Sequence, residues 1–225
     1  MTLQAIGELL PYAVGVALSP VPIIAVVLML GTPRARANGP AFAAGWLLGL
    51  IVVSLVVLLV ANGADDPDSG TSAGVNWAQV VVGLAFFAFA LRQWRHRPLE
   101  GQEPRLPGWM KTLDRFGAGR AFVLGIGLSA VNPKNLALSA AAAASIAQAG
   151  LSAGGTTLAV TVFVVLASVT VAGPVVVYLL AGTRASRALG SLKDLMAAHN
   201  AVIMMVLFVV LGAKILGAGL GGFSS

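Results

Sequence analysis

The side chains best suited to chemistry in this chain lie in one short segment, Asn132-Pro133-Lys134-Asn135. The Lys134 ammonium could bind a carboxylate, phosphate or sulfate, or release a proton, and the two asparagines would add neutral hydrogen bonds. The alternative is structural: Lys134 satisfies carbonyls that Pro133 leaves without amide partners, or lies in an aqueous vestibule. The segment therefore indicates either a binding site or a reinforced break in a helix.

A second proline-rich segment, Ser19-Pro20-Val21-Pro22, interrupts an apolar stretch near the amino terminus. Proline removes an amide donor and clashes with the preceding turn, so a helix that contains this segment must be broken or sharply kinked. Interrupted backbone inside a membrane is tolerated only where it faces protein or a water-filled cavity. We therefore predict one central, substrate-binding site at the two breaks, formed by Ser19, Pro20, Pro22, Ser129, Asn132, Pro133, Lys134 and Asn135.

The composition places these segments in a membrane. Of 225 residues, 58% are hydrophobic even without the 27 glycines, and only 10% are charged. A soluble protein of this size could not cover its surface with so few polar groups. The chain has no cysteine and two histidines, and it lacks phosphate-binding, zinc-protease and nucleophile-elbow motifs. We therefore expect no catalytic residue, no metal site, no cofactor and no enzymatic activity.

Charge-free runs indicate how often the chain crosses the bilayer. A spanning helix needs about 20 mostly apolar residues. Glu8 lies in the first turns of the first predicted span, where we expect its carboxylate to complement the helix dipole. The runs predict an all-α, polytopic membrane protein with six transmembrane helices, at residues 3–31, 37–62, 74–94, 119–148, 153–182 and 195–218.

The two proline breaks correspond to each other. An offset of 110 residues pairs Gly15 with Gly125, Leu18 with Leu128 and Ser19 with Ser129, and it places Pro22 one position short of Pro133. A weaker match at an offset of 122 pairs Phe86 with Phe208. Repeats of three spans each would be inverted relative to one another. We predict a single transmembrane domain over 1–225, with inverted repeats at 1–94 and 119–225, a basic loop at 95–118, and broken helices one and four.

The basic residues predict the orientation. All but two of the 14 lysines and arginines lie between spans one and two, three and four, or five and six, and such loops stay in the cytoplasm. Both termini are therefore expected outside. The basic stretch 92–120 is interpreted as a cytoplasmic loop, with a short interfacial helix near 109–116, and not as a nucleic-acid site. Lipids are the expected partners, and the small residues Ala41, Gly45 and Gly49 predict helix packing, with a homodimer as the alternative.

The proline-broken first span, the Asn132-Pro133-Lys134 segment in the fourth span and the six spans resemble the LysE superfamily of bacterial exporters. The chain most resembles the GAP branch, the peptidoglycolipid-addressing or sulfolipid-addressing proteins. This resemblance implies a bacterial inner-membrane protein that moves a small or amphipathic solute outward, and for this branch a role in sending glycolipids to the cell surface.

Three functions follow as hypotheses. The first is a secondary transporter that exports a polar or amphipathic envelope solute, such as a glycolipid or its precursor, without hydrolysing ATP. The second is a LysE-like exporter of amino acids or cations. The third is a membrane scaffold that transports nothing and docks enzymes of envelope-lipid synthesis. A transporter requires a polar cavity that reaches Asn132 and Lys134, whereas a scaffold can be solidly packed there.

Overall fold

The computed structural model describes residues 2–63, 71–95 and 108–221. Within these ranges the regular secondary structure is helical throughout, as predicted. Short 3-10 helices cover Gly108–Arg115 and Gly182–Ala185, and a π-helical turn covers Gly127–Val131. The α-helices are α1 (Thr2–Ala17), α2 (Pro20–Leu30), α3 (Ala35–Gly63), α4 (Thr71–Arg95), α5 (Ala118–Ile126), α6 (Pro133–Gln148), α7 (Ala153–Ala181) and α8 (Ser186–Gly221).

Several of these helices are long and apolar enough to cross a membrane. Three single helices, α3, α7 and α8, meet this condition, and two bent pairs do so when each pair is counted as one span. The described residues thus provide up to five candidate spans and indicate a membrane protein. Helix α4 covers the predicted third span, so six spans remain a prediction. The acidic connection at 65–68 and the basic positions 97 and 105 lie outside the described residues.

Both predicted breaks are present, and each is followed by a helix that begins with proline. Helices α1 and α2 meet at a bend of 54°, and α5 with its π-turn meets α6 at 62°. Ser19 and Asn132 are the extended N-cap residues, and Pro20 and Pro133 occupy the first helical position. Proline is tolerated there because that amide has no helical partner. Pro20 and Pro133 therefore occupy the same position in their helices, whereas the sequence offset pairs Pro22 with Pro133 to within one residue.

The chain forms two compact units. Unit 1 contains Met1–Ala64 and Arg105–Ala197, and unit 2 contains Asp65–Pro104 and Ala198–Ser225. Unit 1 includes α1 to α3 and α5 to α7, whereas unit 2 includes α4, and α8 begins in the first unit and ends in the second. The single transmembrane domain with halves at 1–94 and 119–225 stays a prediction.

Small residues bring α3 and α5 into direct backbone contact within unit 1. A Cβ atom added to Gly45 would lie 2.0 Å from the Phe122 carbonyl oxygen, and one added to Gly125 would lie 2.3 Å from the Phe42 carbonyl oxygen. Such distances are far below van der Waals contact, so only glycine fits at these positions. The helix-packing role predicted for the small-residue stripe is confirmed, with the partner helix in the same chain.

In unit 2, α4 packs against the second half of α8. The rings of Phe86 and Phe208 stack with centroids 5.5 Å apart, and a Cβ on Gly83 would lie 2.8 Å from the Leu216 Cβ. Residue numbers rise along α4 as they fall along α8, so the two helices are antiparallel. The aromatic pair that the sequence aligned as equivalent is thus a direct contact.

Two local predictions need correction. Helix α8 begins at Ser186, nine residues before the predicted start of the sixth span at 195. Charged residues mark where the apolar stretch begins, but this segment contains alanine, leucine and lysine, which favour helix irrespective of membrane depth. The first turn of α1 contains no acidic residue, because Glu8 lies in the second turn. The short helix expected near 109–116 is present as the 3-10 helix Gly108–Arg115.

The contact between α3 and α5 predicts a large stability difference between two neighbouring glycines. We expect Gly125→Ala to cost about 1–3 kcal/mol, because its Cβ would overlap α3. For a chain of this size that lowers the thermal midpoint by roughly 2–12 °C. Gly127→Ala is the matched control, since no atom lies within 4 Å of its added Cβ. Thermal unfolding in detergent measures both variants, and equal midpoints would contradict the close packing.

Candidate functional site

The site is built on the carboxyl end of α1. In a continuous helix each carbonyl accepts a hydrogen bond from the amide four residues later, but Pro20 has no amide hydrogen to offer Val16. Leu18 still donates to Val14 at 2.8 Å, and the chain then bends at Ser19. The last carbonyls of α1 consequently need partners from outside the helix, and no water is available for them in a bilayer core.

Three side chains take these carbonyls, one each. The Lys134 Nζ donates to the Gly15 carbonyl at 2.7 Å. The Ser19 Oγ lies 2.7 Å from the Val16 carbonyl oxygen. The third carbonyl, of Ala17, accepts from the hydroxyl of Thr170. These side chains come from α6, from the N-cap of α2 and from α7, so the end of α1 is tied to three other segments of unit 1.

Lys134 is 7% exposed and is the charged member of this cluster. Its ammonium lies at the carboxyl end of α1, where the helix dipole favours a positive charge. The hydrogen-bond partner of the buried ammonium is therefore a carbonyl and not a carboxylate. This is the geometry of the structural alternative, and it leaves the charge itself without a counterion there.

Asn135 connects the two breaks directly. Its Oδ1 lies 2.9 Å from the Ser19 Oγ, whose single proton is shared between this oxygen and the Val16 carbonyl. Its Nδ2 donates to the Leu128 carbonyl at 2.9 Å. Leu128 lies in the π-turn, where Asn132 N bonds back to Gly127 at 3.0 Å. Such π-turns are rare and occur frequently at functional sites.

The remaining predicted site residues have local roles. Asn132 caps its own helix, since its Oδ1 accepts from the Lys134 amide at 3.1 Å. Pro20 and Pro22 are buried in the first turn of α2, and Pro133 begins α6. The structure thus brings Ser19, Lys134 and Asn135 together and places the prolines beside them.

Ser129 faces a different helix. Its Oγ lies 3.0 Å from the Gly125 carbonyl oxygen of its own helix, and a Cβ on Gly49 of α3 would lie 2.0 Å from it. The small-residue spacing of Gly125 and Ser129 explains this position, because residues four apart share one helix face. Ser129 therefore belongs to the contact between α3 and the π-turn.

Sequence reasoning missed Thr170 and two buried serines. Thr170 is one of several hydroxyl residues in the apolar helix α7, and nothing in its spacing marks it. The hydroxyls of Ser139 on α6 and Ser168 on α7 are buried and have no hydrogen-bond partner among the described residues. Ser139 lies one turn beyond Asn135, and Ser168 lies two residues before Thr170. Buried hydroxyls of this kind are costly unless a water or ligand satisfies them.

A polar pocket of about 360 Å³ lies between the start of α1 and the end of α6. Its polar lining residues are Gln4, Glu8, Ser145 and Gln148. Glu8 precedes Gly15 by seven residues, so the pocket lies about 10 Å along α1 from the Lys134 contact. Glu8, expected to complement the helix dipole, thus also lines a cavity.

The hydrogen bond from Thr170 predicts a stability effect that its sequence context does not. We expect Thr170→Val, which keeps the side-chain shape, to destabilise the fold by about 1–3 kcal/mol, because the buried Ala17 carbonyl loses its donor. Thr161→Val is the matched control on the same helix, since the Thr161 hydroxyl is exposed and bonds to its own backbone. Thermal unfolding of both variants checks this, and an unchanged midpoint for Thr170→Val would refute the capping role.

Comparison with known proteins adds one family. A family model described as Sap, sulfolipid-1-addressing protein, matches residues 9–221. No curated protein and no solved structure matches the chain. The matched range contains both breaks, the three capping side chains and every helix from the middle of α1 onward. The chain therefore belongs to the sulfolipid-1-addressing protein (Sap) family.

Proposed function

We propose that the chain is a secondary transporter of the bacterial inner membrane that exports an amphipathic envelope lipid whose anionic group binds at the two helix breaks. The observation that carries this proposal is the buried ammonium of Lys134, which lies at the crossing of both breaks with a carbonyl as its partner. An ionisable side chain at membrane depth is expensive to keep and is most often functional.

The electrostatics of the cluster favour an anion. Helices α2 and α6 both begin there, so the positive ends of two dipoles and the charge of Lys134 face the negative end of the single helix α1. Broken helices of this kind form the binding sites of many secondary transporters. A sulfolipid carries a sulfate or sulfonate group, which is anionic at neutral pH, so the family description agrees with this preference.

The same contact supports a mechanism. An anionic group that approaches Lys134 competes with the Gly15 carbonyl for the ammonium, because the ion pair is stronger than the bond to a neutral oxygen. If the Lys134 ammonium bound the ligand instead of the Gly15 carbonyl, the end of α1 would lose one of its three side-chain hydrogen bonds. Binding would thus loosen α1 from α6, and departure of the ligand would restore the contact. This coupling of ligand and helix position is what an alternating-access cycle requires.

The packing of unit 1 supports the proposed inverted repeats. The first part of each broken span packs against the unbroken helix of the other half, α1 against α7 and α5 against α3. The second part of each broken span also packs against the unbroken helix of the other half, α2 against α7 and α6 against α3. Two halves related by a twofold axis in the membrane plane produce this pattern. In the full proposal α4 is the third of six spans, and both termini lie outside.

Two alternatives predict different results. A LysE-like amino-acid exporter would use Lys134 for the substrate carboxylate, whereas a cation exporter would have to overcome its charge. A scaffold that transports nothing is favoured by one observation, that the three carbonyls at the end of α1 already have side-chain partners. In a scaffold Lys134 would matter for stability alone.

The central prediction concerns Lys134→Met in proteoliposomes. We expect transfer of a fluorescent sulfated glycolipid between leaflets to fall at least tenfold, which corresponds to about 1.4 kcal/mol of lost binding. Lys193→Met, at an exposed ion pair, should transfer the lipid like the unmodified chain. Dithionite quenching measures transfer, and detergent gel filtration verifies folding.

Other outcomes of this assay separate the alternatives. Unchanged transfer by Lys134→Met would remove Lys134 from the site. No transfer of the lipid by the unmodified chain would favour a scaffold, unless efflux of a radiolabelled amino acid from the same vesicles identifies the LysE-like activity.

A second prediction tests the six-span topology. Because the chain has no cysteine, single cysteines at positions 66 and 105 can be labelled without background. We expect a membrane-impermeant maleimide to label intact cells at position 66, which should lie outside, and to require permeabilised cells at position 105. The same sidedness at both positions would overturn the six-span arrangement, since they flank one predicted span.

A further inference from the structure

A second cavity lies near the polar pocket described above, at the same end of unit 1. It is a groove of about 310 Å³ between the second half of α3 and the first half of α7. The polar pocket lies between the start of α1 and the end of α6. Both cavities therefore open where α1 and α7 begin and where α3 and α6 end, which is the predicted outer side.

The groove is apolar despite its three threonines. Leu58 and Val164 are buried and form its floor, and Leu55 is half exposed at its wall. The Thr157 hydroxyl bonds to the Ala153 carbonyl at 2.9 Å, and the Thr161 hydroxyl bonds to the Thr157 carbonyl at 2.8 Å. Since two of the three hydroxyls bond within α7, the groove requires few hydrogen bonds from an occupant. Such a surface between two candidate membrane spans suits a hydrocarbon chain.

A contact between two helix ends lies close in sequence to both cavities. A Cβ added to Gly155 would lie 3.3 Å from the Thr2 Oγ1, so the first turn of α1 touches the first turn of α7. Gln4 of the polar pocket lies two residues after Thr2, and Thr156 of the groove follows Gly155. A polar cavity and an apolar cavity thus lie on either side of the same pair of helix ends.

The lining of the polar pocket limits the headgroup. Gln4 and Gln148 each offer an amide donor and acceptor, Ser145 offers a hydroxyl, and Glu8 offers a carboxylate. Alternating donors and acceptors match a group with many hydroxyls, whereas the carboxylate of Glu8 disfavours a sulfate or phosphate. The headgroup chemistry of this end of unit 1 therefore differs from that of the positive cluster around Lys134.

We infer that this end of unit 1 is a second lipid site, which holds a hydroxyl-rich, glycolipid-type headgroup in the α1–α6 pocket and its alkyl chain in the α3–α7 groove. The inference deepens the proposed function and rests on it for the identity of the occupant as the exported lipid, whose uncharged, hydroxyl-bearing part, and not its anionic group, would lie in the pocket beside Glu8. Because the pocket lies about 10 Å along α1 from the Lys134 contact, the site is peripheral to the central cluster and lies toward the predicted outer side.

Photolabelling of the purified full-length chain in phosphatidylcholine nanodiscs tests the inference. The probe is an alkyl glucoside with a diazirine at the end of its chain, and mass spectrometry locates the labelled peptides. We expect labelling concentrated at residues 51–58 and 156–165. Leu55→Trp, which fills the groove, should reduce labelling there at least fivefold, and Gln148→Leu should do so at least threefold by weakening headgroup binding. Val177→Trp, at an exposed position of α7 outside the groove, should label like the unmodified chain.

The controls separate this site from the central one. Labelling of the unmodified chain requires no transport, so a failure of the central transport proposal leaves this result intact. An equally labelled groove in Leu55→Trp and in the second filling variant Thr161→Trp would overturn the inference. So would uniform labelling of lipid-facing helices. Equal labelling by a phosphocholine probe with the same chain would show annular lipid contact only and would also overturn it.

Discussion

The structure of unit 1 depends on how the carboxyl end of α1 is satisfied where water is scarce. A helix that stops inside a membrane leaves carbonyls without partners, and each unpaired carbonyl costs several kcal/mol in hydrocarbon. Lys134, Ser19 and Thr170 supply one donor each. Because these donors belong to different segments, the break in the first span can exist only when α6 and α7 pack beside it. The local defect therefore determines a large part of the tertiary arrangement.

A lysine in this role differs from a neutral cap in one respect. A serine or threonine that loses its acceptor leaves a hydroxyl unpaired, whereas Lys134 would leave a buried charge, which costs far more. The ammonium can leave the Gly15 carbonyl only if another acceptor replaces it. In the proposed function, stability of the resting state and recognition of an anion would therefore depend on the same contact. The structural interpretation gives Lys134 the Gly15 carbonyl as its partner, and the functional interpretation gives it an anionic ligand. Neither interpretation excludes the other.

Much of the fold could be predicted because its signals are local. Prolines fix helix starts through covalent geometry, so both breaks were predicted, and long apolar stretches predicted the helices to within a few residues except at the start of α8. The partners across the site could not be predicted in the same way. Which face of α7 meets α1 depends on the rotation of packed helices, so Thr170 carried no signal. Ser129 is predicted as a site residue, although its spacing of four residues from Gly125 already indicates that the two share one helix face.

The two breaks differ in the backbone contact that supports them, and this difference has a consequence for motion. Beside its own side-chain hydrogen bonds, the second break is braced by backbone contact, because Gly45 and Gly125 allow α3 to touch α5 directly and Gly49 leaves room for the Ser129 hydroxyl of the π-turn. A ligand cannot replace these close-packed contacts one at a time. The first break is held by side-chain hydrogen bonds, which a ligand can replace one at a time. In the proposed export cycle, α1 would accordingly be the element that moves, and α5 with α3 would be the frame against which it moves.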